Sequence, residues 1–145
     1  MCTNENEKKK DYLRRYLSSK MKEKELMLAI EALEVEYGLK SPQLDGLPHG
    51  SGGSDLSVFA VRYDDVYTHL LKRLGESLRI YKEISQAIEA SDCNETEQCI
   101  LRYRYIHGYT WERIAVTMEY SYQWVCELHG RALQHFKIPV TPDSN

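Results

Sequence analysis

From Leu56 to Ile88 the chain steps by four and three residues without a break: Leu56, Ala60, Tyr63, Tyr67, Leu70, Leu74, Ser77, Tyr81, Ile84 and Ile88. Phe59, Val66, Leu71 and Leu78 widen that stripe. A heptad-like seam this long specifies a helix that buries one side against a partner helix along its whole length. At ~1.5 Å per residue the stretch is a rod roughly 50 Å long, with Gly75 as its weak point. A second, less regular helix is expected from about residue 5 to residue 37, where neither Pro nor Gly occurs. Its spacing runs Tyr12, Tyr16, Ser19, Glu23, Leu26, Ile30, Leu33, Tyr37, with Ser19 and Glu23 as polar intrusions, and Gly38 and Pro42 stop it.

Between the two helices stands "LPHGSGGSD", residues 47 to 55. A phosphate-binding loop of the P-loop kind needs a preceding strand and a closing Gly-Lys pair, and no lysine occurs between Lys40 and Lys72. A dinucleotide fingerprint would need glycine where Asp55 stands. The stretch therefore reads as a corner, with Ser54 capping the second helix and Asp55 complementing its dipole. The two long helices are expected to fold back on each other as an antiparallel hairpin. Eleven tyrosines, many at seam positions, suit a wide and partly wet interface on which copies of the chain can also meet.

Residues 94 to 136 carry a different pattern. Asn94 and Glu97 stand in capping-box register, Gly108 ends that helix, and Cys99, Ile100, Tyr103 and Ile106 mark its expected buried stripe. Thr110 caps the next helix, whose inner face is Trp111, Ile114, Ala115 and Met118. After a break at Glu119 to Ser121, Ser121 caps a last helix with Val125, Leu128, Ala132, Leu133 and Phe136 inward. Two short helices joined by a tight turn, with small Ala115 at the crossing, predict a helix-turn-helix. The outward N-terminal side of the last helix then carries Tyr122, Gln123, Trp124, Cys126 and Glu127, the surface that enters a DNA major groove in such motifs.

The run "YTWERIAVTMEYSYQWVCELHGRALQHF" resembles region four of bacterial sigma factors, and the chain from about residue 10 to 137 is similar to small phage and prophage regulators of the RinA/ArpU kind. The signature that carries the closer likeness is Leu128-His129-Gly130-Arg131-Ala132-Leu133 after the Leu47–Asp55 connector. The resemblance implies a DNA-binding transcriptional regulator of a mobile element, working in the bacterial cytoplasm on double-stranded promoter or operator DNA. It implies that Ser121 touches a phosphate while capping its helix, that Tyr122, Gln123, Trp124 and Glu127 face bases, and that Arg131 meets the backbone. Thr110, Arg113 and His129 are further backbone-contact candidates. Sigma factors carry arginines where Tyr122 and Trp124 stand here, so the bidentate arginine–guanine contact is missing; Gln123 would read adenine and Glu127 cytosine.

The expected architecture is thus all-α: a long, coiled-coil-like helical hairpin over 1–92 for dimerisation or higher self-association, a helix-turn-helix over 93–138 and a disordered tail over 139–145. Two other readings stay open. Residues 94 to 145 hold five basic residues against six acidic ones, which favours RNA polymerase over DNA as the partner. Alternatively, the chain is a phage assembly or DNA-packaging adaptor. Charge along the chain is uneven, with Lys8, Lys9, Lys10, Arg14, Arg15, Lys20, Lys22 and Lys24 early and Glu25, Glu31, Glu34 and Glu36 just after. The basic run is either a solvated face or a phosphate-contacting arm.

Individual residues carry their own expectations. Trp111 is a core anchor, whereas Trp124 either contacts a base or packs on a long helix. Cys99 is a buried small hydrophobe. Gly130, costly inside a helix, implies close approach of another backbone or a phosphate. Cys126 and His129 have a Cys-x-x-His spacing, but no Cys-x-x-Cys pair accompanies them, so no metal or cofactor is expected. No catalytic constellation stands out: Asp64 and Asp65 point about 100° apart on one helix, and no nucleophile elbow occurs. No apolar run is long enough for a membrane span.

Overall fold

The structure, a computed structural model, describes residues 2–39 and 56–140. The connector Leu47–Asp55, the Ser54 cap, Pro42 and most of the expected tail lie outside the described residues. Five helices occur among the described residues: α1 (Cys2–Glu36), α2 (Leu56–Ala90), α3 (Glu95–Tyr105), α4 (Trp111–Met118) and α5 (Tyr122–His135). No strand occurs among the described residues, and no helix is long and apolar enough to cross a membrane.

The helix ends follow the chain's own chemistry. Gly38, at φ +74°, ends α1 in a left-handed turn where Leu39 N–H donates to the Glu34 carbonyl at 2.8 Å and Gly38 N–H to that of Val35 at 3.1 Å. Asn94 and Glu97 form the reciprocal capping box of α3. Thr110 and Ser121 cap α4 and α5 through their hydroxyls, which accept from the Arg113 and Trp124 N–H groups at 3.2 and 3.1 Å. The α4–α5 turn is closed by a non-glycine residue: Glu119 sits at φ 58°, ψ 39°, with Tyr120 N–H donating to the Ala115 carbonyl at 2.9 Å.

The chain divides into two compact units, Met1–Ser18 with Ser77–Asn145 and Ser19–Glu76. The first therefore draws on both ends of the chain, a different division from one at residue 92. Its larger core joins Leu13 of α1, Ile80, Ile84, Ala87 and Ile88 of α2, Leu101 and Tyr105 of α3, and Ala132, Leu133 and Phe136 at the end of α5. Leu13 and Phe136 are wholly buried, and each such side chain contributes about 1.5–3 kcal/mol. A second cluster, Ile100, Ile114, Ala115, Val125 and Leu128, fills the space among α3, α4 and α5; α3 packs mainly on α5, with α4 against both.

In the Ser19–Glu76 unit, Leu33 and Leu70 are buried, and Tyr37, Phe59, Tyr63 and Tyr67 form a chain of ring contacts 5.0 to 5.9 Å between centroids. Arg62 joins Glu36 at 3.3 Å and donates to the Tyr37 hydroxyl at 3.1 Å. Glu23 is buried, and Lys20 donates to one of its oxygens.

Burial along α2 corrects the expected seam. Tyr63, Leu70, Ser77 and Ile84 are on its inner side, but Ala60, Tyr67, Leu74 and Tyr81 are exposed. The second inner row is instead Phe59, Val66, Arg73, Ile80 and Ala87. Both rows are largely apolar, so spacing alone could not choose between them. On α3 the inner face is Glu97, Ile100, Leu101 and Tyr105. Cys99 is exposed, not buried, because it lies about 100° from Ile100 on the outward side. Cys93 is buried, and its thiol lies 3.5 Å from the Ala132 carbonyl.

The left-handed Glu119 costs about 1 kcal/mol relative to glycine. Glu119→Gly is expected to raise the unfolding free energy by roughly that amount with an unchanged urea m-value, whereas Glu119→Val should lower it.

Candidate nucleic-acid interface

The residues expected to face DNA do not share one environment. Tyr122, Gln123, Cys126 and Glu127 come together on the exposed side of the first two turns of α5, with Tyr122 half exposed. Ser121 and Thr110 are exposed as well, each with its hydroxyl oxygen occupied by a capping bond. Arg113 is exposed, with its guanidinium 3.8 Å from the Tyr109 ring centroid.

Trp124 is half-buried on the cluster formed by α3, α4 and α5, not on a long helix. The Arg131 guanidinium covers its ring at 5.1 Å. That cation–π contact holds Arg131 at the edge of the exposed face. Trp111 is half-buried against the same cluster, in keeping with an anchoring role.

His129 is not a surface group, which corrects its expected backbone contact. It is buried; its Nε2 is hydrogen-bonded to the Tyr105 hydroxyl at 2.8 Å, and the Trp111 ring meets it edge-on at 4.6 Å between centroids. It turns inward because it is one residue from Leu128 and four from Val125, both on the inner face of α5. Burial, with Lys10, Arg104 and Arg14 nearby, brings its pKa down to about 4. Burial also pushes the Tyr105 hydroxyl up to about 12, so the pair stays neutral at physiological pH. Gly130 has nothing within 4 Å of where a Cβ would stand, so the expected close approach is not made by the described residues.

Sequence reasoning missed the feature next to this face. An open groove of about 470 Å³ is lined by Lys10 and Arg14 of α1 and Arg104 of α3, together with Leu17, Tyr105, Gly108, Trp111, Cys126 and His129. Arg104 donates to the Tyr109 carbonyl at 3.0 Å and covers the Trp111 ring at 4.4 Å. Lys10 pairs with Glu7 at 2.7 Å and Arg14 with Asp11 at 3.2 Å. Such exposed pairs, each within one helix, are worth under about 1 kcal/mol and are readily exchanged for another anion. The four-residue spacing of Lys10 and Arg14, which puts both on one face of α1, was the available signal.

Elsewhere in the early basic run Lys9, Arg15 and Lys20 are engaged in the fold, while Lys8, Lys22 and Lys24 are exposed. Lys9 is buried, with its ammonium donating to the Leu133 carbonyl at 2.8 Å. Arg15 bonds Glu83 at 3.2 Å. Among the described residues no three of His, Cys, Asp or Glu gather as metal ligands.

His129 makes stability depend on pH. Its folded pKa lies below the unfolded value of about 6.5, so the unfolded chain binds the proton more readily between these values. Its contribution is complete above about 6.5 and is lost as pH falls toward 4, on the order of 3 kcal/mol in all. Urea titrations at pH 7 and pH 5 should show wild type losing more stability than His129→Gln.

No protein-family signature matches the chain, and no curated protein or solved structure is significantly similar to it.

Proposed function

We propose that the chain is a DNA-binding transcriptional regulator in which α4, the Glu119 turn and α5 form a helix-turn-helix, with α5 as the reading helix. The observation that carries this is that Cys126, on the same exposed face of α5 as Tyr122, Gln123 and Glu127, also lines the Lys10–Arg14–Arg104 groove. Base readers need flanking cations to fix register on phosphates. The charge balance of residues 94–145 alone omits two of these three cations, Lys10 and Arg14, which belong to α1. Buried Ala115 at the crossing, with Val125 and Leu128 in the angle between the helices, supports the motif. The likeness of residues 109–136 to sigma region four, and of the chain to RinA/ArpU-type regulators, points the same way.

In this reading Gln123 and Glu127 meet base edges, while Lys10, Arg14 and Arg104 follow the phosphate strand. Tyr122 contributes apolar contact, and Arg131, held on Trp124, stands at the rim. Within residues 19–76, Tyr37 lies against Phe59 while Leu26 shares a groove with Arg73. That opposite chain order supports the antiparallel hairpin.

One observation favours a second reading. The first two turns of α5 expose no basic residue, and Glu127 and Tyr122 dominate them, which suits a protein surface such as that of RNA polymerase.

Selection of bound duplexes from a random pool separates the two. An enriched motif is expected, with affinity falling steeply as salt rises. Gln123→Ala or Glu127→Ala should change the preferred bases at one or two positions. Lys10→Glu and Arg14→Glu should weaken all sequences alike and lower the salt slope by about 1 each. Absence of any motif, with salt-insensitive weak binding, would sink the DNA reading.

A further inference from the structure

Lys24, Met27, Leu28 and Glu31 lie on one face of α1 within the Ser19–Glu76 unit. Seven residues separate the first from the last, so the two charges stand two helical turns apart, about 10 Å along the axis. The methionine and leucine between them are 58% and 55% exposed. With Tyr67 of α2, itself 42% exposed, these residues line an open, largely apolar groove of about 420 Å³. Exposed apolar side chains gathered in this way mark an interaction surface. Lys24 and Glu31 have no ion-pair or hydrogen-bond partner among the described residues.

The order of charge along this face identifies its occupant. The basic end precedes Met27 and the acidic end follows Leu28, with the change of sign midway between Lys24 and Glu31. A surface whose charge inverts about its own midpoint complements itself when turned end for end. We propose that this face docks a second copy of the chain, antiparallel about a two-fold axis passing between Met27 and Leu28. Each Lys24 then meets the partner's Glu31, and the exposed Met27 and Leu28 pairs cover one another at the axis. This is an isologous contact, in which the same patch serves both copies. A parallel alignment would set Lys24 against lysine and Glu31 against glutamate, which costs affinity. The proposal does not depend on DNA binding.

Sedimentation equilibrium of the full chain tests it, with circular dichroism reporting helix content. Wild type is expected to form a dimer. Lys24→Glu and Glu31→Lys should each weaken the dimer by at least about tenfold, since each sets like charges across the axis. The double variant K24E/E31K restores opposite pairing and should recover most of the affinity. All four residues face solvent, so helix content should be unchanged. A monomeric wild type overturns the proposal, and so do single variants that associate as wild type does. A double variant no better than either single variant overturns it too, since a general loss of folding or of charge balance would not be repaired by exchange.

Discussion

A helix leaves its last carbonyls without partners, and how α5 satisfies them determines much of the Met1–Ser18/Ser77–Asn145 unit. The Ala132 carbonyl receives the Phe136 N–H and the Cys93 thiol. The Leu133 carbonyl receives the buried ammonium of Lys9, from the other end of the chain. Burying a lysine is costly unless its charge is met. Here the negative end of the α5 dipole meets it, with Glu5 at 3.8 Å as a second partner. Close by, His135 bonds the buried carboxylate of Glu97, which also closes the α3 capping box. The Lys137 N–H donates to the Ser91 hydroxyl. Polar groups at the end of one helix thus tie together α1, the end of α2 and the start of α3, while Leu13 and Phe136 fill the apolar space between.

The same ties set the character of the candidate interface. Because α1 is fixed to the end of α5 through Lys9, Lys10 and Arg14 line the groove beside Cys126 on the exposed face of α5. His129 contributes by being uncharged: a neutral ring under the groove leaves Lys10, Arg14 and Arg104 as its cations. The aromatic layer of Trp111, Tyr105 and His129 is a floor for that charge, held by one hydrogen bond, one edge-on ring contact and one tilted one.

Local signals were legible in the sequence where their chemistry was local. The caps at Asn94, Thr110 and Ser121, the Gly38 stop and the inner face of α5 needed only neighbouring residues, and each is in the structure as read. What failed depended on partners far along the chain. The inner row of α2 could not be chosen because the rows of Val66 and Tyr67 are both mostly apolar. Cys99 was taken as buried from its residue type, yet helix phase turns it outward and buries Leu101. His129 read as a contact because Gly130 beside it suggested close approach of a backbone or phosphate, and its tyrosine partner lies 24 residues away. The groove was invisible because its cations come from α1 and α3, which sequence order separates by about ninety positions.

That separation has a consequence for how the protein is made. Leu13 is synthesised more than a hundred residues before its core partner Phe136. Until then Leu13 and the ammonium of Lys9 lack their partners at the end of α5. Contacts so distant in sequence slow folding, because a large loop must close before they form. The growing chain therefore passes through a stage in which the first turns of α1 are made but lack their α5 cover, a window in which a chaperone or a neighbouring nascent copy binds them first.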